Sequence, residues 1–329
     1  MKWATKILAV LVLCMFSYGT NLQTDFAQIY LQQGEDAMVK AAEDALISKE
    51  YWSKILGENS YKYGYYQNKK NILVACKACN SLEEFVYEDG NLIKKYSFEA
   101  NFGKSKGDKF FEGDLKTPIG VYEFTKKLKG QNLHPYYGHV AFVTNYPNTF
   151  DRFLNKNGYG IWLHGYPLDG NRSEPQTRGC VALENDNLEK VNNSIDYKNT
   201  ILIIAENNET ITNKKNVADV LHNLFLWRRA WVDGDLEKYL SFYSPEFKRF
   251  DGMNYNQFAR MKKEVFGSNK FVRINIKDLE ITPYPTSLKK NVYRVKFFEK
   301  YRSNIHSFSG KKEIFLQLKG DRFIILVEN

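Results

Sequence analysis

Hydrophobic periodicity changes twice along this 329-residue chain, and those changes limit the available folds more than any motif does. From Asp25 to about Gly57, apolar residues recur at helical spacing: Phe26, Ile29 and Tyr30, then Met38, Val39, Ala42 and Leu46, then Trp52, Ile55 and Leu56. Side chains three and four positions apart share a helix face, so two or three amphipathic helices are expected. They either cover a neighbouring domain or form a homodimer contact, and no chemistry suggests itself there. From about Lys69 to Ala205 the period falls to that of strands, with apolar runs over residues 72–75, 82–87, 92–98, 120–124, 140–144, 161–164 and 201–204. Asp89-Gly90 gives a hairpin turn signal, and a helix fits residues 185–193. This predicts a largely antiparallel β domain. Residues 206–216 are polar and aperiodic, as in a linker. Beyond them Val217, Val220, Leu221, Leu224, Phe225 and Trp227 mark a helix, and residues 236–242 a second. Strand-like runs follow over 272–276, 292–301, 314–318 and 323–327. Helices followed by strands predict an α+β module. The expected division is therefore 1–20, 21–68, 69–205, a linker over 206–216, and 217–329.

With 43% hydrophobic and 26% charged residues, the chain is neither collagen-like nor low-complexity nor mainly disordered. Its net charge of +9 is unevenly spread. From Asn213 onward there are 23 Lys and Arg against 13 Asp and Glu, whereas the first 212 residues hold 24 against 25. A basic module thus follows a near-neutral body. Its natural partners are polyanions, whether nucleic acid, acidic lipid or acidic wall polymer, and a merely soluble basic surface is the plain alternative. The N-terminus narrows the choice. Lys2 and Lys6 precede an apolar run over 7–16 and the small or turn-prone Ser17, Tyr18 and Gly19, which reads as a secretory signal peptide. The run is shorter than the ~20 residues of a membrane span. Leu13 stands before Cys14 where a lipobox has a small residue, which argues against lipidation. The expected mature protein is exported to the periplasm without stable membrane insertion, and nucleic acid is not its partner.

Three cysteines follow the leader: Cys76, Cys79 and Cys180. Cys76 and Cys79 form either a local disulfide or two unpaired small hydrophobes, and they lack the second ligand pair of a zinc site. Cys180 is left alone in both cases. Its surroundings hold the chemistry. His164-Gly165 ends an apolar strand, a loop rich in Gly, Pro, Asp and Asn follows, and then comes Thr177-Arg178-Gly179-Cys180-Val181-Ala182-Leu183. A thiol is a good nucleophile as thiolate and needs a nearby base or positive field. His164 supplies the base where the loop turns the chain back. Arg178 adds positive charge, and Gly179 lets the backbone approach a substrate and aim N–H groups at an oxyanion. A backbone carbonyl near Gly165 or Tyr166 would orient the imidazole through its other nitrogen. The plain alternatives are a buried hydrophobe for Cys180 and a satisfied structural residue for His164. His139 starts an apolar strand and is read as structural or substrate-contacting; His134 is a further candidate, and His222 and His306 have no chemical context. A papain-like arrangement fits poorly, because there the Cys precedes the His, whereas here His164 precedes Cys180 by 16 positions.

The set His164-Gly165 and Thr177-Arg178-Gly179-Cys180 resembles the active-site signature of the L,D-transpeptidase (YkuD-type) family: a His, a loop, then Ser/Thr-His/Arg-Gly-Cys. Lys116-Thr117-Pro118-Ile119-Gly120-Val121-Tyr122 looks like the family's T-P-x-G segment. Residues 72–102, with the hairpin Tyr87-Glu88-Asp89-Gly90, are similar to its opening strands. The resemblance covers about 69–205. The tail, with Trp227, Trp231, Gly234-Asp235, Tyr239 and Phe242-Tyr243-Ser244, resembles nuclear-transport-factor-like cone domains. The three parts together resemble the cell-shape L,D-carboxypeptidases of helical Gram-negative bacteria. The implied architecture is multidomain α+β: N-terminal helices, a mainly antiparallel β catalytic domain, and a C-terminal α+β cone.

The resemblance implies cysteine-dependent acyl transfer on peptidoglycan stem peptides, with no metal or other cofactor. In that scheme Cys180 is the nucleophile, His164 the base, and Gly165 and Gly179 complete the catalytic set. Arg178, Thr177, Tyr137, His139 and Trp162 contact substrate, with Tyr136 beside them. Arg178 either assists the oxyanion or holds the D-Ala carboxylate. One departure matters: family transpeptidases carry Arg or Asn two residues after the Cys, and here Ala182 stands there. Losing that polar group favours water as the deacylating nucleophile. The expected activity is therefore L,D-carboxypeptidase trimming of tetrapeptides to tripeptides, ahead of an L,D-transpeptidase that forms 3–3 cross-links or anchors proteins to the wall. A non-catalytic wall-binding protein is the other class, and the intact His, Arg, Gly and Cys set argues against it. The basic tail is expected to take an anionic glycan or a small ligand.

Overall fold

The computed structural model describes residues 22–171, 174, 176–208 and 211–329, so the segment read as a signal peptide lies outside the described residues. The chain forms two compact units that divide between Ser48 and Lys49. The first holds helices α1 (Leu22–Gln33) and α2 (Glu35–Leu46), which pack on each other. Gly34, at φ +86, takes a backbone conformation that breaks the helical run between them.

The second unit opens with α3 (Lys49–Ile55), whose Trp52 is buried and stacks on Phe225 at 5.4 Å. There follow β1 (Tyr65–Tyr66), β2 (Lys70–Cys76), β3 (Ser81–Glu88), β4 (Asn91–Glu99), β5 (Gly120–Lys129), β6 (Val140–Thr144), α4 (Thr149–Phe153), β7 (Trp162–His164), β8 (Val181–Ala182), α5 (Asn185–Ser194) and β9 (Thr200–Ala205). The last part is α6 (Lys214–Val232), α7 (Leu236–Leu240), β10 (Tyr243–Arg249), α8 (Tyr255–Ser268), β11 (Val272–Pro283), β12 (Val292–Ser303), β13 (Ser307–Lys319) and β14 (Arg322–Glu328).

Strands β4-β3-β2-β9-β5-β6-β7-β8 make one sheet, antiparallel except for the β2–β9 and β7–β8 pairs. β2 is its spine, apolar at Ile72-Leu73-Val74-Ala75 because both faces are covered. Leu73 and Ala75 point into one core with Phe142, Leu163, Val181 and Leu202. Ile72 and Val74 point into another with Phe150, Ile203, Tyr284, Phe315 and Val327. The second core therefore joins this eight-stranded sheet to the C-terminal sheet, β1-β11-β12-β13-β14-β10. A buried Arg294 on β12 reinforces the join, with its guanidinium 2.8 Å from Glu123 of β5. Burial opposes ionisation of Glu123, but the Arg294 and Lys296 charges outweigh it and hold the carboxyl well below the usual range.

Sequence reading differs from the structure at three places. β1, within the expected helical segment, pairs with β11 through Tyr65 opposite Ile281, and α6 begins at Lys214, inside the expected linker. Helix α8 was not anticipated, because Arg260, Lys262 and Lys263 obscure its apolar face. Its start carries a reciprocal cap, Asn254 with Gln257, that marks it in the sequence. Of the two readings for Cys76 and Cys79, the structure has the disulfide, with Cα atoms 5.2 Å apart at the end of β2. Among the described residues, no helix is long and apolar enough to cross a membrane.

Candidate active site

β7 and β8 run parallel, pairing Leu163 with Val181 and His164 with Ala182. Successive strand residues point to opposite faces. Leu163, Val181 and Leu183 accordingly enter the core. Trp162, His164, Cys180 and Ala182 share the other face and line one cleft of about 870 Å³. The expected nucleophile and base are thus brought onto one wall by alternation and register. Arg178, Thr177, Tyr136, Tyr137 and Gly165 line the same cleft.

Two glycines are required by close approach. A Cβ on Gly165 would stand 2.1 Å from Asn185 Oδ1, and Gly179 has φ +137 with the Lys116 carbonyl oxygen 2.9 Å from where a Cβ would be. Asn185, at the start of α5, accepts from the Tyr166 N–H and donates to the Tyr166 carbonyl, both at 3.1 Å, fixing the turn that follows His164. His164 is buried, and its Nδ1 lies 2.6 Å from the Gly165 carbonyl oxygen. A carbonyl only accepts, so Nδ1 carries the proton and Nε2 is left as the basic nitrogen. The edge of the Tyr137 ring packs on the imidazole, with centroids 5.0 Å apart, and Trp162 packs on Tyr137.

The Cys180 sulfur accepts the Trp162 N–H at 3.4 Å and donates to the Gly160 carbonyl at 3.4 Å. Burial pushes the thiol pKa up to about 11, against the Trp162 N–H and the Lys109 charge, which act to lower it. The Cys180 carbonyl receives two hydroxyls, Thr177 Oγ1 at 2.8 Å and Thr117 Oγ1 at 3.4 Å. Thr117 also accepts the Gly103 N–H at 2.8 Å.

The same contacts correct two expectations. The Gly179 N–H already donates to Thr177 Oγ1 at 3.0 Å, so it is not free for an oxyanion. His139 is exposed at the start of β6 and outside the cleft, since Val140 and the residues after it take the buried positions. His134 caps a turn by accepting the Tyr136 N–H at 3.2 Å, and His306 lies in a tight turn with Ser303. Sequence reasoning missed Asn185, Gly160 and Lys109, none of which belongs to a recognisable motif. The role of Thr117 was present in the quoted T-P-x-G segment without being drawn from it.

Residues 79–204 match the L,D-transpeptidase catalytic domain family (YkuD), and residues 219–329 match the Cds6 C-terminal NTF2-like domain family. Two crystal structures of the helical cell shape determining protein Pgp2 from Campylobacter jejuni are 38% identical to the chain. They superpose with TM-scores of 0.82 and 0.80, covering 87% and 86% of this chain and 99% and 100% of theirs. Bd1075 from Bdellovibrio bacteriovorus is 28% identical with a TM-score of 0.65, over 82% of this chain and 96% of its own. Among curated proteins none matches the chain.

Proposed function

The chain belongs to the peptidoglycan-acting L,D-transpeptidase (YkuD) family in the form that carries a C-terminal NTF2-like domain, and from that premise we propose that it is a periplasmic L,D-carboxypeptidase that removes the terminal D-Ala from tetrapeptide stems. The observation that carries the reading is the shared face of His164 and Cys180, with the imidazole held by the Gly165 carbonyl so that Nε2 is basic.

His164 takes the Cys180 proton as the sulfur attacks the carbonyl at the L-centre of the third stem residue. The tetrahedral oxyanion is held by the Cys180 N–H, assisted by Arg178; one such donor is worth ~3 kcal/mol of barrier. His164 then returns the proton to the departing D-Ala amine, leaving a thioester. Water, deprotonated by the same nitrogen, cleaves the thioester and frees Cys180. Each step balances without a cofactor. Ala182 supports hydrolysis over cross-linking, because it presents only a methyl group to the cleft where family transpeptidases carry Arg or Asn. Trimming stems removes donors for further cross-linking, which is how such an enzyme would alter cell shape.

Mass spectrometry of a defined tetrapeptide muropeptide, with and without an amine acceptor, tests the reading. Tripeptide plus D-Ala is expected from the purified protein, and none from Cys180→Ala. Abundant 3–3 dimers would assign it instead as a transpeptidase. No tripeptide from the wild-type protein, together with an unchanged muropeptide profile in a strain carrying Cys180→Ala, would leave the wall-binding reading.

The C-terminal module supports a second binding role, for an anionic glycan or a small ligand. Lys262 and Lys312 are enclosed there with Trp231 and Tyr239, and Trp231 Nε1 and Glu299 Oε2 are buried without hydrogen-bond partners. An anionic group would accept from the Trp231 N–H, whereas the Glu299 carboxylate oxygen, an acceptor itself, calls for a donor such as a sugar hydroxyl. Salt-sensitive binding to sacculi that weakens in Lys262→Met supports this role; binding unaffected by the substitution removes it.

A further inference from the structure

Arg178 stands exposed at the cleft rim, but a second cation lines the cleft from within the fold. Lys109 is only 3% exposed. Its ammonium donates to the Phe111 carbonyl at 2.8 Å and to Asp114 Oδ1 at 2.7 Å. An ammonium has three donors, so one N–H remains uncommitted among the described residues. Asp114 does not simply cancel the charge. Its carboxylate also receives backbone N–H groups from Phe110, Phe111 and Lys116, at 2.9, 3.1 and 3.1 Å. The neighbouring acid, Asp108, is occupied by Lys156 at 2.7 Å.

Lys109 is placed beside the chemistry. Its Cε lies 3.3 Å from where a Cβ on Gly158 would be, and two residues on, Gly160 holds the Cys180 thiol. The carboxylate of a leaving residue falls one residue past the carbonyl under attack, ~3.8 Å further along the chain. An enclosed ammonium discriminates a carboxylate from a neutral group more sharply than an exposed guanidinium does, because water screens it less.

We propose that Lys109 anchors the terminal carboxylate of the departing D-amino acid and so restricts the enzyme to stems ending in a free carboxyl group. This rests on the hydrolytic reading above and assigns the specificity within it. Lys109 holds the leaving group in line while Cys180 attacks, and Arg178 is left to the oxyanion.

The test compares two tetrapeptide stems identical except for a final D-alanine or D-alaninamide. The wild-type protein is expected to favour the carboxylate by about 30-fold in kcat/KM, the range of a charge-assisted hydrogen bond. Lys109→Gln should bring that ratio below about threefold and Lys109→Arg should recover most of it. The ratio is taken within each protein, so partial loss of folded enzyme cancels. In a Cys180→Ala background, calorimetry should find the carboxylate stem bound more weakly by Lys109→Gln, with the amide stem unaffected. Equal cleavage of the two stems by the wild type overturns this proposal alone, and so does a ratio that survives Lys109→Gln but collapses in Arg178→Gln. Cleavage of neither stem overturns the hydrolytic reading with it.

Discussion

The Cys180 thiol donates to the Gly160 carbonyl oxygen at 3.4 Å, so the resting nucleophile keeps its proton. With the thiol pKa pushed up to about 11 by burial, the thiolate fraction at neutral pH is very small and grows tenfold per pH unit. Alkylation by iodoacetamide, followed by intact-protein mass spectrometry, should therefore quicken about tenfold per pH unit from 7 to 10 without levelling off. A rate that levels off below pH 8 would mean a preformed thiolate–imidazolium pair, and His164 would then act before substrate arrives.

Thr117 and Thr177 converge on one carbonyl, that of Cys180. Thr117→Val keeps the shape of a fully buried side chain but leaves the Gly103 N–H without its acceptor, a loss of about 1–3 kcal/mol. The backbone that presents the Cys180 thiol should loosen as well. A fall of about tenfold in kcat with little change in KM is expected, with Thr117→Ser restoring it. Thermal unfolding measures the stability cost separately. A changed KM with an intact kcat would mean that Thr117 shapes the cleft rather than the nucleophile.

Ala182 is 1% exposed, with its methyl on the cleft wall two residues beyond Cys180 on the same face. Ala182→Asn introduces a donor and an acceptor where an incoming amine would need orientation. With D-alanine or a second stem supplied as acceptor, the variant should divert part of the thioester from water to amine, seen as a rise in exchanged or 3–3 linked product relative to tripeptide. An unchanged partition would mean that acceptor choice is decided elsewhere in the cleft.

That His164 and Cys180 line one cleft was legible because it depends on local chemistry: a strand, a loop of turn-forming residues and a thiol flanked by Arg178 and Gly179. Strand runs such as 140–144 were legible because their apolar character is continuous. The contacts that tune the site come from segments distant in sequence, and no period marks them. Asn185 sits where a side chain at residue 165 would collide with it, so only Gly165 permits its place, and Lys109 is hidden in the polar stretch between β4 and β5. β1 illustrates the same limit, since two tyrosines acquire meaning only when β11 arrives more than two hundred residues later.

Lys262 of α8 makes the C-terminal module's stability depend on pH. Its ammonium lies 3.8 Å over the Trp231 ring, with Tyr239 and Phe258 rings beside it. Burial lowers its pKa to about 7, although the Glu328 and Glu299 charges act to raise it; Lys312 and Arg249 add to the lowering. The unfolded side chain titrates near ~10.4. Between pH 7 and 10 the unfolded chain therefore binds more protons than the folded one, and stability rises with pH across that window; below pH 7 the penalty is full and constant. Lys262→Met fills similar volume without the charge. Thermal unfolding should find it more stable than wild type at pH 6, by an amount on the order of a few kcal/mol, with the gain fading towards pH 10. A gain equal at both pH values would reflect packing alone, and no gain would mean that Trp231 and the two glutamates already repay the desolvation.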